Sequence, residues 1–165
     1  PFGNGLLWVK KEKIAGLWPL LSSPEPQGAD IRKFESLGTR SFPVEMATGY
    51  SLELHNMIGS ARKQQRIHFL KNYWMERVKD HPGLRLVTSL DPRYGCAIGG
   101  FSIAGRKATD LAEELFTKWK ILAVAIQREA KPGIEAPYNH VRVTPNVYTT
   151  TAELDRLVEA IGSMR

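Results

Sequence analysis

The sequence predicts an α/β fold of the α+β sandwich type, in which helices pack on a small sheet. Three observations lead to this prediction. Short stretches alternate apolar and polar residues as strands do, longer stretches carry apolar residues at helical spacing, and the connections between them are short. The 165 residues can bury a sizeable core and suggest one domain or slightly more.

The first part of the chain is predicted to contain little regular structure. Residues 5–9 lie between glycines and a charged run and form a candidate strand, and residues 10–21 form a short helix or turn that Pro19 stops. Residues 22–30 contain two prolines and a glycine, which predicts a loop. The Gly-Thr-Arg sequence of residues 38–40 forms a second loop.

Two helices are predicted to follow these loops. The first covers about residues 44–57, and Pro43 stands at its start, where proline is tolerated. The second covers about residues 60–80 and ends at the His-Pro-Gly sequence of residues 81–83. Its apolar stripe consists of Ile67, Leu70, Trp74 and Val78. Gly59 between the two helices is compatible with a kink or with a real break.

The remaining residues alternate between strands and helices. The predicted strands are residues 84–88, 96–103 and 121–126 and a last strand around residues 140–144, and a helix covers residues 107–118. Residues 127–139 form a polar loop. Thr150 and Glu153 form a capping box for a final helix. The apolar stripe of that helix consists of Leu154, Leu157, Val158 and Ile161.

The last strand carries a candidate binding residue. Val141 and Val143 alternate with His140, Arg142 and Thr144, so the pleat places the valines on one face and the three polar residues on the other. A guanidinium offers paired donors in one plane, which match a carboxylate or a phosphate. From this strand alone, an arginine on a solvated sheet face is the preferred interpretation.

Composition and charge exclude several classes of function. The single cysteine, Cys96, excludes an internal disulfide, and its place in a predicted strand favours a buried, inert thiol. His55 and His68 lack the spacing of metal ligands. The net charge is +6, but the basic clusters are short, so nucleic-acid binding is not expected. No apolar run is long enough for a membrane span and nothing resembles a signal peptide, so a cytoplasmic location is expected.

Three segments carry a resemblance to a known family. Residues 142–161 are similar to the C-terminal signature of class V aminotransferases, which are fold-type I pyridoxal phosphate (PLP) enzymes. Residues 1–12 resemble the glycine-rich turn and strand that follow the cofactor lysine in the isopenicillin-N-epimerase-like branch, related to cysteine desulfurases. Residues 34–40 resemble the Gly-Thr loop that reaches a phosphate. The segments occur in the family's order, and the similarity covers nearly the whole chain.

The resemblance implies a domain division and a fragment. Residues 1–40 would be the tail of the large cofactor-binding domain with the Gly-Thr loop, and residues 41–165 the C-terminal small domain of a fold-type I PLP-dependent transferase. The cofactor lysine would lie in an N-terminal part that precedes Pro1, so this chain alone is expected to be inactive. The longer parent enzyme is expected to form a homodimer, and residues 5–9 would belong to its large sheet. The chain alone is therefore expected to expose an apolar surface.

The resemblance also assigns roles to single residues. Arg142 would hold the α-carboxylate of an amino-acid substrate. Thr39, with Gly38, would bind the PLP phosphate, commonly that of the other subunit. Arg40 extends the same motif. Gly3 and Asn4 are interpreted as a structural turn, with a place in the cofactor site as the alternative. No catalytic residue and no metal ligand is assigned in this chain.

The reaction of the parent enzyme is left open between transamination, epimerisation and lyase chemistry. Cysteine desulfurases of the family carry a catalytic cysteine on the loop before the carboxylate arginine. The corresponding residues 127–139 contain no cysteine, so desulfuration is not expected. The alternative to an enzyme fragment is a free-standing, non-enzymatic α/β binding or dimerisation module for an anionic ligand, which would use the same arginines.

Overall fold

The computed structural model describes residues 3–128 and 138–164. The chain divides into two compact units, Pro1–Ile58 and Gly59–Arg165. Most of the predicted loop at residues 127–139 lies outside the described residues, as do the first two residues of the segment 1–12. The domain boundary predicted after residue 40 is the one implied by the family that the chain resembles. It was not based on compactness, and it stays a prediction.

The first unit contains two short 3-10 helices, Lys11–Gly16 and Ile31–Glu35, and one long helix, α1 (Phe42–Ile58). A buried lysine connects its irregular segments. The ammonium group of Lys33 donates hydrogen bonds to the carbonyl of Ile14 (2.6 Å) and to that of Pro26 (3.0 Å). Because these carbonyls belong to separate segments, Lys33 holds together a region that has almost no apolar core.

The predicted strand at residues 5–9 is wrong for this chain, since none of these residues forms a strand. A strand needs a neighbour for its backbone hydrogen bonds, and the described part of the first unit contains no strand. Leu6, Leu7 and Trp8 are exposed instead. The expected exposed apolar surface is therefore present in this segment, and α1 adds to it because none of its residues is buried.

Gly59 separates two distinct helices, so the sequence-level alternative of a break is the correct one. Its φ angle is 86°, a left-handed value that favours glycine and cannot continue a right-handed helix. Helix α2 (Ser60–Val78) begins immediately after it. The predicted stripe of α2 faces the core, with Leu70, Trp74 and Val78 buried.

The second unit has the predicted architecture of helices on a small sheet. Its other elements are β1 (Leu84–Leu86), β2 (Gly99–Ile103), α3 (Ala108–Trp119), β3 (Val124–Arg128), β4 (Tyr138–Val143) and α4 (Thr151–Gly162). The strands form one antiparallel sheet in the order β1-β2-β4-β3. One sheet face, with Phe101 and Val141, packs into a core shared with α2, α3 and α4. The predicted α/β fold class is confirmed.

Two sequence predictions on strand positions are wrong, with a consequence for Cys96. Strand β2 begins at Gly99 and not at residue 96, so Cys96 lies in the preceding loop and is exposed rather than buried. This loop packs along α2, where Lys71 and Asn72 donate hydrogen bonds to the carbonyls of Ser89 (2.6 Å) and Leu90 (3.0 Å). The chain enters the sheet at Gly99, after these contacts with α2.

Strand β3 also starts later than predicted, at Val124 instead of residue 121. Helix α3 ends at Lys120, whose φ of 56° is left-handed, and residues 121–123 carry the chain from there to the sheet. Val124 lies on this edge strand of the sheet and is exposed.

Candidate functional site

Arg142 lies on the sheet face opposite the core, as the alternation in β4 predicts. The register places it between Gly100 of β2 and Val124 of β3, whereas Val141 pairs with core residues. The side chain is half-buried, and its Nε is shielded from solvent without a hydrogen-bond partner among the described residues. A shielded, unpaired donor on a charged group costs free energy. Arg142 is therefore not a freely solvated surface arginine.

The electrostatics of this sheet face favour an anion. None of the four strands contains an aspartate or a glutamate. Arg85 and Ser102 form a register pair and point to the same face, because Leu84, Leu86, Phe101 and Ile103 on either side of them pack in the core. The field of Arg142 is thus not neutralised by any neighbouring strand residue.

His140 stands two residues before Arg142 on the same face of β4. Its ring meets the edge of Tyr138, with ring centres 6.2 Å apart. Burial lowers the pKa of His140 below its ordinary value, because desolvation penalises the charged imidazolium. The ring is therefore mostly uncharged at neutral pH, and it adds an apolar wall beside Arg142 rather than a second positive charge.

Gly100 is a residue of this site that the sequence analysis did not assign. A Cβ atom at this position would lie 2.6 Å from Cγ2 of Val87 and 3.2 Å from Cδ2 of His140. The first distance is shorter than real Cβ atoms show and the second is tighter than most, so a side chain at this position would have to displace Val87 where β2 passes Arg142. The Gly-Gly pair inside the predicted strand at residues 96–103 was the available signal, since glycine in a strand often marks a close approach.

The Gly-Thr loop combines a left-handed glycine with an exposed threonine. Gly38 has a left-handed φ of 77°, and Thr39 is exposed, with no hydrogen bond of its side chain among the described residues. Arg40 is engaged: it donates a hydrogen bond to the carbonyl of Glu35 (2.7 Å) and pairs with the carboxylate of Glu45. Within this loop, Thr39 is thus the side chain left available for a ligand.

The side chain of Asn4 has a structural partner. Its amide donates hydrogen bonds to the carbonyl of Val44 (2.7 Å) and to the hydroxyl of Thr48 (2.8 Å), both on α1. This agrees with the interpretation of residues 3 and 4 as a structural turn. The two groups of predicted site residues lie in different compact units, with Gly38 and Thr39 in the first and Arg142 in the second.

Lys71 is an ionisable group that the sequence analysis did not single out. Lys71 is fully buried, and burial lowers its pKa, with a smaller opposing influence of Cys96 and Asp91. Its position four residues after Ile67 and three before Trp74, on the apolar stripe, was the available signal. Its hydrogen bond to the Ser89 carbonyl fixes the loop between β1 and β2.

Residues 3–128 and 138–164 contain neither a candidate metal site nor a candidate membrane-spanning helix. No group of three or more histidine, cysteine, aspartate or glutamate side chains in this part of the chain is arranged to hold a metal ion. Among the helices of the same residues, none has the length and apolar character that a membrane crossing requires.

The chain has curated relatives, although no family model matches it. It is 25% identical over 135 residues to the isopenicillin N epimerase of Streptomyces clavuligerus, a match that covers 81% of this chain and 32% of the epimerase. The corresponding enzyme of Amycolatopsis lactamdurans is 26% identical over the same shares. A probable cysteine desulfurase of Streptomyces coelicolor is 27% identical, over the whole of this chain and 42% of its own length.

The fold agrees with solved structures of PLP enzymes. The cysteine desulfurase CsdA of Escherichia coli superposes with a TM-score of 0.69 at 20% identity, over 92% of this chain and 40% of that one. A variant of C-DES with glycine covalently linked to its PLP cofactor superposes with a TM-score of 0.62 at 17% identity, over 86% of this chain and 33% of that one.

The resemblance predicted from the sequence is confirmed. The chain spans about a third of the length of the two epimerases that it resembles. Its fold is that of part of a fold-type I PLP enzyme. The cofactor expected for the family is confirmed as well, because C-DES carries PLP.

Proposed function

We propose that this chain is the C-terminal part of a PLP-dependent enzyme that acts on an amino acid, and that Arg142 binds the α-carboxylate of the substrate. One observation carries the proposal: Nε of Arg142 is shielded and has no hydrogen-bond partner among the described residues, on a sheet face whose strands hold no carboxylate. A planar guanidinium binds a carboxylate through two parallel hydrogen bonds. A carboxylate fixed in this way orients the bond at Cα that reacts.

Thr39 and Gly38 fit a contact with the phosphate of PLP. The exposed hydroxyl of Thr39 and the backbone N–H groups around the left-handed Gly38 are donors that can bind an anion. Arg40 fits less well, because Glu35 and Glu45 already engage its guanidinium. The cofactor, when bound, supplies an electron sink for charge that develops at Cα. In a homodimer, the phosphate held by Thr39 would belong to the cofactor of the other subunit.

Epimerisation, transamination and lyase chemistry are favoured over desulfuration. Two relatives are named isopenicillin N epimerase, and residues 127–139 contain no cysteine that could attack the sulfur of a substrate. The single cysteine, Cys96, precedes β2 and lies outside that segment. The free-standing binding module is not favoured, since the relatives are enzymes and this chain covers only part of each.

The proposal is tested by separating the two anion contacts in the full-length enzyme that contains this chain. We expect Arg142→Ala and Arg142→Lys to raise the KM for the amino acid while PLP retention stays near that of the wild type. Lysine keeps the charge but not the paired donors, so it should rescue only partly. Thr39→Ala should weaken PLP binding by about 10- to 100-fold, the effect of one hydrogen bond to a charged group.

Arg85→Ala is the matched control, because it removes an arginine from the same sheet face. It should leave the KM for the amino acid and the affinity for PLP near those of the wild type. The role of Arg142 is wrong if its variants and Thr39→Ala lower the affinity for PLP equally while the KM of the PLP-saturated enzyme stays unchanged. A rise in KM of the same size in Arg85→Ala would point to the general positive charge of the face instead.

A further inference from the structure

The row of side chains beside Arg142 has a gap at Gly100. Gly100 is the register partner of Arg142 on one side, and on its other side its carbonyl accepts a hydrogen bond from the backbone of Val87 (2.9 Å). Glycine contributes no side chain that could cover the neighbouring arginine. Nε of Arg142 is nevertheless shielded from solvent and has no hydrogen-bond partner among the described residues. Its cover therefore comes from side chains of other residues.

Val87 and His140 fill the space above Gly100. Cγ2 of Val87 and Cδ2 of His140 lie 2.6 Å and 3.2 Å from the position that a Cβ atom of Gly100 would take. Because the carbonyl of Gly100 points to Val87, Gly100 and Arg142 form a non-hydrogen-bonded pair, the kind in which facing residues come closest. The two side chains thus stand next to Arg142, on the side where β2 itself offers no cover.

These two side chains leave the charge of the guanidinium available to a ligand. Val87 is apolar, and the imidazole of His140 is mostly uncharged at neutral pH because burial lowers its pKa. Neither of them can therefore neutralise Arg142 as an aspartate or a glutamate would. They restrict the space around the arginine without competing for its donors.

We propose that Val87 and His140 are positioning residues, which close over Gly100 and limit the rotamers of Arg142 before a carboxylate binds. An arginine side chain in solvent has many rotamers, and a site loses affinity when it has to order such a side chain on binding. A side chain that is already confined avoids most of this loss. The inference rests on the proposed function, because it adds to the carboxylate role of Arg142 the residues that prepare it.

Acetate binding to the 165-residue chain tests the proposal, followed by NMR on the backbone amides of β4 at constant ionic strength. We expect Val87→Ala and His140→Ala to weaken acetate binding by about 2- to 10-fold, the effect of one long side chain that is ordered only on binding. Val87→Thr and His140→Phe are the matched controls, because they keep a branched side chain and a planar ring in the same places. Both should retain most of the affinity of the wild type. Because Val87 is 37% exposed, Val87→Ala leaves the core intact.

Hydrogen exchange at Nε of Arg142 measures the shielding directly and needs no ligand. Exchange should be slow in the wild type, because Nε is shielded from solvent. It should become several-fold faster in Val87→Ala and His140→Ala and stay slow in Val87→Thr and His140→Phe. Circular dichroism checks that all four variants are folded, so a faster exchange reports the local cover and not a loss of structure.

Arg142→Ala distinguishes a failure of this inference from a failure of the proposed function. If it binds acetate no differently from the wild type, the carboxylate role of Arg142 is overturned and the positioning role with it. If it loses acetate binding while Val87→Ala and His140→Ala bind acetate and exchange like the wild type, only the positioning role is overturned. Equal losses in the alanine variants and in their matched controls would overturn it as well, because the shape of the two side chains would then have no effect.

Discussion

Replacing Gly99 by alanine is expected to destabilise the second unit through a direct steric conflict. A Cβ atom at Gly99 would lie 2.5 Å from Cζ2 of Trp74 and 2.9 Å from Sδ of Met75. Favourable contacts between carbon atoms begin near 3.5 Å, so the indole would have to move by about 1 Å. Trp74 is fully buried and packs edge-on against Phe101, with ring centres 6.1 Å apart. It therefore has little room to retreat.

Overpacking of this kind costs about 1–3 kcal/mol, which corresponds to a fall in Tm of about 2–4 °C for each kcal/mol in a chain of this size. Urea unfolding followed by circular dichroism measures the change in the free energy of unfolding. Gly162→Ala is the matched control, because a Cβ atom there has no neighbour within 4 Å and the residue ends α4. Alanine should be neutral or stabilising at that position.

Equal urea midpoints for Gly99→Ala and the wild type would refute this reasoning, since they would mean that the core yields to an added methyl group at no cost. The reasoning would also be refuted if Gly162→Ala lowered the urea midpoint as much as Gly99→Ala does. The loss would then follow from any alanine in the second unit and not from the contact with Trp74.

Two further predictions concern residues that hold the sheet and its loops in place. Asn139→Ala should lower the free energy of unfolding by about 1 kcal/mol, because Oδ1 of Asn139 accepts a hydrogen bond from the backbone of Ala108 (2.7 Å) and so caps α3 from a distant strand. In urea unfolding, Asn139→Asp should keep part of this stability, and an unchanged midpoint for the alanine variant would contradict the capping role. Lys71→Met tests the pH dependence of stability. Burial lowers the pKa of Lys71 in the folded state, so between that pKa and about 10.4 the unfolded state binds more protons than the folded state. The stability of the wild type relative to the variant should therefore rise with pH across that window, whereas a difference that is flat or falls with pH would show that Lys71 is not desolvated.

The elements encoded within a few neighbouring residues were predicted well. The capping box of α4 is formed, with the backbone of Glu153 donating to the hydroxyl of Thr150 (3.2 Å) and the backbone of Thr150 donating to the carboxylate of Glu153 (2.7 Å). The stripe of α2 is buried as its spacing indicates, and the alternation in β4 places Val141 in the core. The family resemblance, which also depends on local sequence motifs, was confirmed in the same way.

Features that depend on distant residues were not predictable in this way. The exposed position of Cys96 follows from the contacts of α2 with the loop before β2, and the missing strand at residues 5–9 follows from the absence of a partner strand in the described part of the first unit. The stripe position of Lys71 indicated burial, but only the loop before β2 supplies the Ser89 carbonyl that accepts a hydrogen bond from its ammonium group.

The sequence by itself determined that Arg142 points away from the core, because the period of a strand fixes its side-chain directions. Only the tertiary structure decided that Nε of Arg142 is shielded, beside Gly100 of β2 and Val124 of β3, with no hydrogen-bond partner in the part of the chain that the structure describes. Helical spacing, caps and strand alternation act over four residues or fewer. The surroundings of a side chain are set by strand register between residues that lie tens of positions apart, and these form only when the sheet does.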